Sequence, residues 1–352
     1  MVTENNLIER VCTYENAEKA YFAARKCKRY RPEVRQFEEN REINLLRAIH
    51  DIKSVQYNSG KYFIFRIYEP KERMIMALPF YDRVVQHMIV NVISPIYEKR
   101  FIYHSYACRE GKGVHAASKQ LADWIYALCA IQGLNVYAYC GDIHNYFGSV
   151  DLEILKQENQ RYISDGNVIE ITGRIINANG AYPEGIGIPV GNLTSQLYAN
   201  VYLNILDQFV KHKLHEKYHI RYMDNFIILQ TDLERLKYDV EEIREFVGKR
   251  LRLQINPKST IVNARNGIDF VGYRHFPEFT IMRKTSTRNF NDVIKDYEKG
   301  IIEEDYFLRS AESRLGHMKH ADTYDLRRNY RKKVEEAVRI RNAGLALSAD
   351  IL

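Results

Sequence analysis

Apolar and polar positions alternate along two short stretches of the chain, and each stretch carries an acidic residue where the alternation stops. In the first, Val136, Ala138 and Cys140 alternate with other residues toward Asp142. The second is the run Ile220 to Ile227, IRYMDNFI, which holds its acidic residue between two apolar segments. Period-two alternation predicts β-strands, and Asp and Asn favour tight turns. We therefore predict a strand ending at Asp142 and a hairpin over the second stretch.

Carboxylates at strand ends can hold a divalent metal, because they stay out of the core where burial would neutralise them. A lone Asp-Asn pair between apolar runs is more often only a turn, so the hairpin by itself predicts no site. The presence of two acidic strand ends, at Asp142 and Asp224, changes the interpretation. Together they predict a metal site, provided that the sheet brings them close to each other.

Apolar residues at helical spacing fill much of the remaining chain. One such run precedes Pro95, and because proline lacks the N–H that continues a helix, we expect that helix to end there. A second amphipathic helix is predicted after Gly191, and a third from a capping box formed by Thr231 and Glu234. Beyond Arg283 the pattern is helical, charged and free of proline. Helices that cover one face of a sheet predict an α+β fold.

The composition is that of an ordinary globular protein, with 45% hydrophobic and 28% charged residues in a chain of 352. No apolar run approaches the ~20 residues that span a bilayer, and the first residues lack the features of a signal peptide. We therefore expect a cytoplasmic protein that does not bind membranes. Five dispersed cysteines without CxxC or histidine spacing indicate reduced thiols rather than a zinc site.

The net charge of +7 is modest for a nucleic-acid-binding protein, but its distribution is uneven. Six cations lie within eleven residues near the N-terminus, interrupted by Tyr30 and by a single acid, Glu33. Such a patch attracts phosphates through counterion release, and a tyrosine can stack on a base. A solvated helix face is the alternative interpretation of a basic run. The predicted nucleic-acid-binding cations are Arg25, Lys26, Lys28, Arg29, Arg31 and Arg35.

The two acidic strand ends resemble the active-site motifs of palm-type polymerases. Asp142 with Tyr146 and Phe147 is similar to the first motif, and Tyr222-Met223-Asp224-Asn225 resembles the Tyr-x-Asp-Asp hairpin. Further segments follow in the order seen in reverse transcriptases and cover most of residues 60–290. These segments are EPKERMIMALPFYDRVVQHMI, SYACREGKGVHAA, GIPVGNLTSQLYANVYLNILD, LRLQINPKS and GIDFVGYRHF. GIPVGNLTSQ in particular is similar to the reverse transcriptases of diversity-generating retroelements.

The resemblance implies nucleotidyl transfer that uses two Mg²⁺ ions, with Mn²⁺ as an alternative. The implied metal ligands are Asp142, Asp224 and the backbone carbonyl of Ile143, and Asn225 and Lys258 complete the catalytic set. Lys258 would protonate the leaving pyrophosphate; a solvated strand-end lysine is the alternative. Asn225 departs from the family pattern, because an amide oxygen can coordinate a cation but carries no charge. Three interpretations stay open: activity with a weaker metal site, a preference for Mn²⁺, or an inactivating change.

The resemblance also implies a nucleotide site around the metals. Lys71 and Arg73 would clamp the triphosphate, although exposed turn charges are the alternative. Phe147 would exclude a ribose 2′-hydroxyl, with a core aromatic as the alternative. Gly191 would let the backbone approach the templating base pair. Val190 stands before it where most relatives place Gln, which predicts low fidelity; packing beneath the sheet is the alternative.

By resemblance the chain divides into four parts: a basic helical N-terminal arm at 1–40, fingers at 41–133, a palm at 134–282 and a small helical thumb at 283–352. The palm would be an antiparallel sheet backed by helices, which gives the fold of a right-hand polymerase. GIDFVGYRHF would form the primer grip, and Arg283 and Lys284 after it would touch the duplex. An ordinary core hairpin is the alternative for that segment.

The expected function is RNA-directed DNA polymerisation that makes cDNA from a retroelement RNA, with the errors typical of diversity-generating retroelements. The expected partners are template RNA, the RNA/DNA hybrid, deoxynucleoside triphosphates and a small basic helical accessory protein that assembles as a pentamer. A standalone antiphage-defence reverse transcriptase acting on a noncoding RNA is a rival, while retron and group II intron enzymes fit less well. A rival of another class is a catalytically weakened RNA-binding or partner subunit, because of Asn225.

Overall fold

The computed structural model describes residues 6–68, 72–133 and 135–349, so Lys71 lies outside the described residues. The helices in chain order are α1 Leu7–Val11, α2 Tyr14–Arg25, α3 Pro32–Glu39, α4 Arg41–Lys53, α5 Phe80–Glu98, α6 Val114–Gln132, α7 Tyr146–Ser149, α8 Leu152–Gln160, α9 Gly166–Asn177, α10 Leu193–His212, α11 Leu233–Leu251, α12 Lys284–Glu298, α13 Glu304–Met318 and α14 Tyr324–Ala349. The strands are β1 Phe63–Ile67, β2 Arg73–Ala77, β3 Tyr137–Asp142, β4 Tyr218–Tyr222, β5 Asn225–Gln230, β6 Thr260–Asn263, β7 Ile268–Phe270, β8 Tyr273–His275 and β9 Thr280–Met282.

The chain divides into two compact units. The first contains the residues up to Lys112, Gly141–Phe226 and Lys237–Ser259, and the second contains Gly113–Cys140, Ile227–Leu236 and the residues from Thr260 onward. The strands form three sheets: a β1-β2 hairpin, a four-stranded sheet of order β4-β5-β3-β6, and a three-stranded sheet of order β7-β8-β9. This mixture of antiparallel sheets and many helices is the α+β class that the sequence predicted.

Helix α5 is the centre of the helical packing in the first unit, where α1 to α4 and α10 contact it. Its apolar positions are buried because they repeat at helical spacing along one face. The expectation that Pro95 ends this helix is wrong, since α5 continues to Glu98. Ile96 and Tyr97, after the proline, are buried. Pro95 lies in the last turn, where the loss of one backbone hydrogen bond is offset by continued apolar burial.

The second unit holds the segment GIDFVGYRHF, which forms the antiparallel pair β7-β8 with β9 added to its edge. Val271 and Gly272, both at positive φ, make the two-residue turn of this hairpin. Helices α12, α13 and α14 pack on one another as expected beyond Arg283. Their shared core contains Phe290, Tyr297 and Phe307, each fully buried or nearly so.

Helix α11 begins one residue later than the predicted capping box requires. The side chain of Asp232 accepts hydrogen bonds from the backbone N–H groups of Glu234 and Arg235, at 2.9 and 3.0 Å. Aspartate is as good an N-cap as serine or threonine, so Asp232 takes the role that the sequence assigned to Thr231. All five cysteines are free thiols. None of the helices among the described residues has the length and apolar character that crossing a bilayer requires.

Candidate active site

The predicted hairpin is present as strands β4 and β5, joined by Met223 and Asp224. Met223 has a φ of 56°, the left-handed region that non-glycine residues seldom adopt. Two-residue hairpin turns usually need a positive φ at their first central residue, which here is Met223. Asn225 begins β5 and is exposed, while Asp224 is half-buried at the turn. The turn therefore presents one carboxylate and, next to it, one amide.

Asp142 is the last residue of β3, and the residue before it lets the hairpin approach. A Cβ atom on Gly141 would lie only 2.2 Å from the ring of Phe226, so a larger residue would force the ring away. After Asp142, the backbone N–H of Ile143 donates a hydrogen bond of 3.2 Å to the carbonyl of Asp224. The structure thus brings together the two acidic residues and the backbone of Ile143, as the metal-site prediction required.

The two carboxylates influence each other electrostatically. Burial raises the pKa of Asp224 above its ordinary value, and the negative charge of Asp142 raises it further. A hydrogen bond from Asn225 and the positive charge of Arg73 act in the opposite direction. Two carboxylates that repel each other in a half-buried site form an oxygen donor set that suits a hard divalent cation. Among the described residues, no group of three or more acidic, histidine or cysteine side chains is placed to hold a metal.

A residue that the sequence analysis did not single out holds Asp142 in place. The side-chain amide of Asn256 donates a hydrogen bond of 2.7 Å to the carboxylate of Asp142, and its backbone N–H donates to the Asp142 carbonyl at 2.8 Å. The Asp142 N–H in turn donates to the hydroxyl of Ser259 at 3.1 Å. Both partners come from the NPKS segment, which the sequence analysis used only for Lys258. Asn256, which precedes Pro257 and Lys258, was the sequence feature that could have indicated this contact.

Lys258 lies in the same loop, and its backbone N–H donates to the side chain of Asn256 at 3.0 Å. Its side chain is exposed. The loop that orients Asp142 therefore also carries the lysine predicted to act as a proton donor.

The β1-β2 hairpin meets the segment before α10 through backbone contacts. The N–H of Met76 donates to the carbonyl of Val190 at 2.9 Å. Gly191 has a φ of 124°, and a Cβ there would lie 3.0 Å from the carbonyl oxygen of Met76. Glycine is thus required both by the backbone conformation and by the close approach of β2. Val190 is half-buried, and Arg73, at the start of β2, is exposed and lies within electrostatic range of Asp224.

The two aromatic residues after Asp142 have different environments in the short helix α7. Tyr146 is buried, and its hydroxyl donates to the carbonyl of Ala199 at 2.6 Å. Phe147 is half-buried, and its carbonyl accepts a hydrogen bond from the N–H of Ile188. Of this pair, only Phe147 is partly exposed.

The basic residues of the N-terminal arm divide into paired and exposed side chains. Arg25 forms an ion pair of 2.6 Å with Glu38, which makes it part of the local structure. Arg31 lies 3.9 Å from Glu33. Burial lowers the pKa of Lys28, and the nearby cations Arg83 and Arg31 lower it further. The remaining predicted contacts, Lys26, Arg29 and Arg35, are exposed.

In the second unit, the two cations predicted to follow the primer grip lie at the start of α12. The guanidinium of Arg283 is 3.3 Å from the carboxylate of Asp269, and its backbone N–H donates to the carbonyl of Gly272. Lys284 is exposed. Arg283 is therefore tied to the β7-β8 hairpin, and Lys284 is open to solvent.

The arrangement agrees with a known family. Residues 68–275, more than half of the chain, match the family described as reverse transcriptase (RNA-dependent DNA polymerase). The chain belongs to the reverse transcriptase family. The matched region includes both acidic residues, strand β2, the loop that holds Asn256 and Lys258, and the β4-β5 hairpin, whereas β1 precedes it.

The curated relatives of this chain include proteins of group II introns. Protein YkfC of Escherichia coli is 26% identical over 259 residues, which cover 59% of this chain and 65% of YkfC. The group II intron-encoded protein LtrA of Lactococcus lactis is 22% identical over 250 residues, which cover 64% of this chain and 40% of LtrA. The chain spans less than two thirds of the length of either relative. These relatives include a group II intron enzyme, a class that the sequence was expected to fit less well.

A solved structure supports the fold of this chain. The apo telomerase of Candida tropicalis matches it with a TM-score of 0.50 at 13% identity, covering 84% of this chain and 59% of that chain. A likeness at this identity concerns the fold alone. The predicted α+β polymerase fold is thereby confirmed.

Proposed function

We propose that this protein is an RNA-directed DNA polymerase whose centre is the pair Asp142 and Asp224. The observation that carries the proposal is the 3.2 Å hydrogen bond from the Ile143 N–H to the Asp224 carbonyl, which brings the end of β3 beside the hairpin turn. At this distance the charge of Asp142 adds to burial in raising the pKa of Asp224. Asp142, Asp224 and the carbonyl of Ile143 would hold two Mg²⁺ ions. Bound there, the metal would supply charge stabilisation for the attacking and leaving oxygens of nucleotidyl transfer.

The residues around the carboxylates have separate tasks in this proposal. Arg73 binds the triphosphate together with Lys71, whose assignment comes from the resemblance alone. Phe147, which is partly exposed, presents its ring to the sugar and excludes a 2′-hydroxyl. Lys258 donates a proton to the leaving pyrophosphate. Replacing Phe147 with Ala should therefore admit ribonucleotides, and unchanged discrimination between the two sugars would contradict that role.

A surface in the fingers supports binding of a single-stranded template. Phe63 and Phe65 lie on one side of β1, are exposed, and have ring centroids 5.6 Å apart. They line a cavity of about 660 Å³ together with Lys61, Arg31, Arg83 and Glu33. Glu33 lies 3.2 Å from Arg83 and 3.9 Å from Arg31, and Lys61 adds a further cation. Exposed aromatic rings beside cations suit stacked bases with a phosphate backbone. We therefore assign template RNA to this surface, which includes one residue of the predicted basic arm.

The asparagine at position 225 is compatible with two alternative functions of the protein, which an experiment can separate. Its amide donates to Asp224 at 3.3 Å and brings no second negative charge. An active enzyme with a weakened metal site, or one that prefers Mn²⁺, should extend a DNA primer on RNA, and Asp142→Ala should abolish this. A non-catalytic RNA-binding or partner subunit should bind RNA but incorporate no nucleotide in either metal. Synthesis only after Asn225→Asp would support the second function.

The finer class that we propose is the error-prone diversity-generating type, supported by Val190 in the segment GIPVGNLTSQ. An apolar side chain cannot hydrogen-bond the incoming sugar, so selection should depend more on base pairing and shape. The proposed partner is a small basic helical accessory protein that forms a pentamer. An antiphage-defence enzyme working on a noncoding RNA remains the rival. Sequenced cDNA from Val190→Gln should contain fewer errors than cDNA from the parent, and equal error rates would contradict the proposal.

A further inference from the structure

A charged side chain without any access to solvent lies next to the hairpin turn that carries Asp224. Arg221, in β4, is fully buried, as are Asp207 in α10 and His219 in β4. Removing ions from water is costly, so such a group persists only where its hydrogen bonds are satisfied. The bonds of Arg221 therefore show what it holds in place.

Asp207 is the main partner of Arg221. The Nε of Arg221 donates to both carboxylate oxygens at 2.9 Å, and Nη2 donates to one of them at 2.6 Å. His219 Nε2 lies 2.9 Å from the same carboxylate. Burial alone would raise the pKa of Asp207, but Arg221 and His219 hold it below its usual range. The carboxylate is thus ionised and anchors the guanidinium to α10.

The other N–H groups of Arg221 reach three further acceptors. Two are side chains, Asn200 at 3.1 Å and Ser105 at 3.2 Å. The third is the carbonyl oxygen of Met223, which accepts from Nη1 at 2.9 Å. That oxygen belongs to the peptide group that joins Met223 to Asp224. The guanidinium therefore fixes the orientation of the peptide group between Met223 and Asp224.

The backbone at this point needs such support. Met223 is at a φ of 56°, a conformation that costs a non-glycine residue free energy and persists only where its surroundings enforce it. Rotation of the peptide group between Met223 and Asp224 would break the bond to Arg221. On the other side of Asp224, its own carbonyl accepts the hydrogen bond from Ile143. Asp224 thus lies between two fixed peptide groups.

We propose that Arg221 and Asp207 are positioning residues, which act through the Met223 carbonyl to aim the Asp224 carboxylate at the metal. The inference rests on the proposed function, because it assigns Asp224 to metal binding. Neither residue touches substrate or metal. Their contribution is to keep a strained turn in one orientation, so that the carboxylate does not have to be ordered when the metal binds.

A purely structural role makes a different prediction. Buried ion pairs can often be replaced by apolar residues of similar volume without loss of stability. The double variant Asp207→Leu/Arg221→Met removes both charges and the donor to Met223 while leaving the site filled. It therefore separates folding from positioning, whereas either single change would leave a buried charge uncompensated.

Arg174 offers a matched control. Its Nη1 donates at 2.6 Å to the carbonyl of Val55, another non-glycine residue at positive φ, with a φ of 55°. This loop follows α4 and contains none of the proposed metal ligands. Arg174→Met thus removes the same kind of bond at an unrelated turn.

The experiment measures Mn²⁺ binding to the full chain by electron paramagnetic resonance, with hydrogen exchange across residues 221–227 and thermal unfolding alongside. We expect the double variant to stay folded at a lower unfolding temperature, because His219, Asn200 and Ser105 lose a hydrogen-bond partner. It should bind Mn²⁺ about 10-fold or more weakly, and its exchange should rise more at the turn than elsewhere in the chain. Arg174→Met should keep the parent's Mn²⁺ affinity. Parental Mn²⁺ affinity and turn protection in the double variant would overturn the proposal.

Two further results keep the test decisive. If the double variant does not fold, Arg221→Lys replaces it, because one ammonium cannot serve Asp207 and Met223 together, and the same losses are expected in smaller degree. If the parent binds Mn²⁺ but incorporates no nucleotide, the proposed function fails while the Mn²⁺ comparison still tests the positioning role. If the parent binds no Mn²⁺, the positioning role is overturned as well.

Discussion

The side-chain amide of Asn225 donates a hydrogen bond of 3.3 Å to the carboxylate of Asp224, so two consecutive residues at the tip of one hairpin interact directly. An aspartate at position 225 would repel that carboxylate instead. The asparagine thus has two opposite effects: it removes a negative charge that could bind a cation, and it stabilises the ionised form of the carboxylate that remains.

The variant Asn225→Asp should show both effects. The added carboxylate should raise the pKa of Asp224 further, because a like charge disfavours ionisation. The concentration of Mg²⁺ that gives half-maximal primer extension should fall at pH 8, and the acid limb of the pH–rate profile should move to higher pH. Asn225→Ala, which removes the donor without adding charge, should shift the acid limb less. A profile identical to that of the parent would contradict the interaction.

Asp224 should destabilise the metal-free protein at neutral pH. Its pKa is raised in the folded chain, so the folded state binds the proton more tightly than the unfolded state does. The free energy of unfolding therefore falls as pH rises from the ordinary Asp pKa of about 3.9 through the folded value. Asp224→Asn should raise the free energy of unfolding at pH 7, and the gain should shrink toward zero as pH approaches about 3.9.

Urea unfolding in the presence of a chelator, over a series of pH values, measures this gain. Asp123→Asn, which alters an exposed carboxylate paired with Lys119, is the control and should show no comparable trend. A gain in stability that is constant across the pH series would show that burial and the Asp142 charge do not act on Asp224 as described.

Asn256 should matter for metal binding more than for folding. Asn256→Leu removes the 2.7 Å hydrogen bond to the Asp142 carboxylate and the 3.0 Å bond from the Lys258 N–H, but keeps the backbone bond between Asn256 and Asp142. Loss of a group that orients a metal ligand typically weakens binding or activity about 10–100-fold. Mn²⁺ titration should show a loss in this range. Asn44→Leu, which removes a 3.0 Å bond to the carbonyl of Phe37, should leave Mn²⁺ affinity unchanged.

The local parts of the site were predictable from the sequence. Strand β3 and the hairpin follow from period-two patterns and turn residues, which depend on near neighbours in the chain. The hairpin turn was placed at Met223-Asp224-Asn225, and the structure differs only in starting β5 at Asn225. The two acidic strand ends also predicted the carboxylate pair, and the family resemblance added the chemistry of nucleotidyl transfer.

The supporting contacts were not predictable in this way, because they join distant residues. Asn256 lies 114 positions from Asp142. A charged residue in a short strand ordinarily predicts a solvent-facing position, yet Arg221 is fully buried because Asp207, 14 positions earlier, neutralises it. Pro95 shows the same limit for helices, since burial after the proline outweighed the local signal to stop. Local pattern identifies the reactive groups, and tertiary contacts decide their orientation.

Gly141 should be required for full stability, because the ring of Phe226 occupies the space that a Cβ atom would need. Gly141→Ala would place a Cβ 2.2 Å from that ring, and overpacking of this kind typically costs about 1–3 kcal/mol. The cost should be smaller in a Phe226→Leu background, because a shorter side chain leaves room for the methyl group. A double-mutant cycle by urea unfolding should give a coupling of about 1 kcal/mol or more. Simple additivity of the two changes would contradict the contact.

The central claim is that Asp142 and Asp224 together form a metal-dependent polymerase centre. Its most direct test is incorporation of a deoxynucleotide onto a DNA primer annealed to RNA, in Mg²⁺ and in Mn²⁺, by the parent and by Asp142→Asn and Asp224→Asn. We predict incorporation by the parent that requires the metal, and no incorporation by either variant although both still bind the primer–template. Parental activity in both variants, or no incorporation by a parent that folds and binds the primer–template, would contradict the claim.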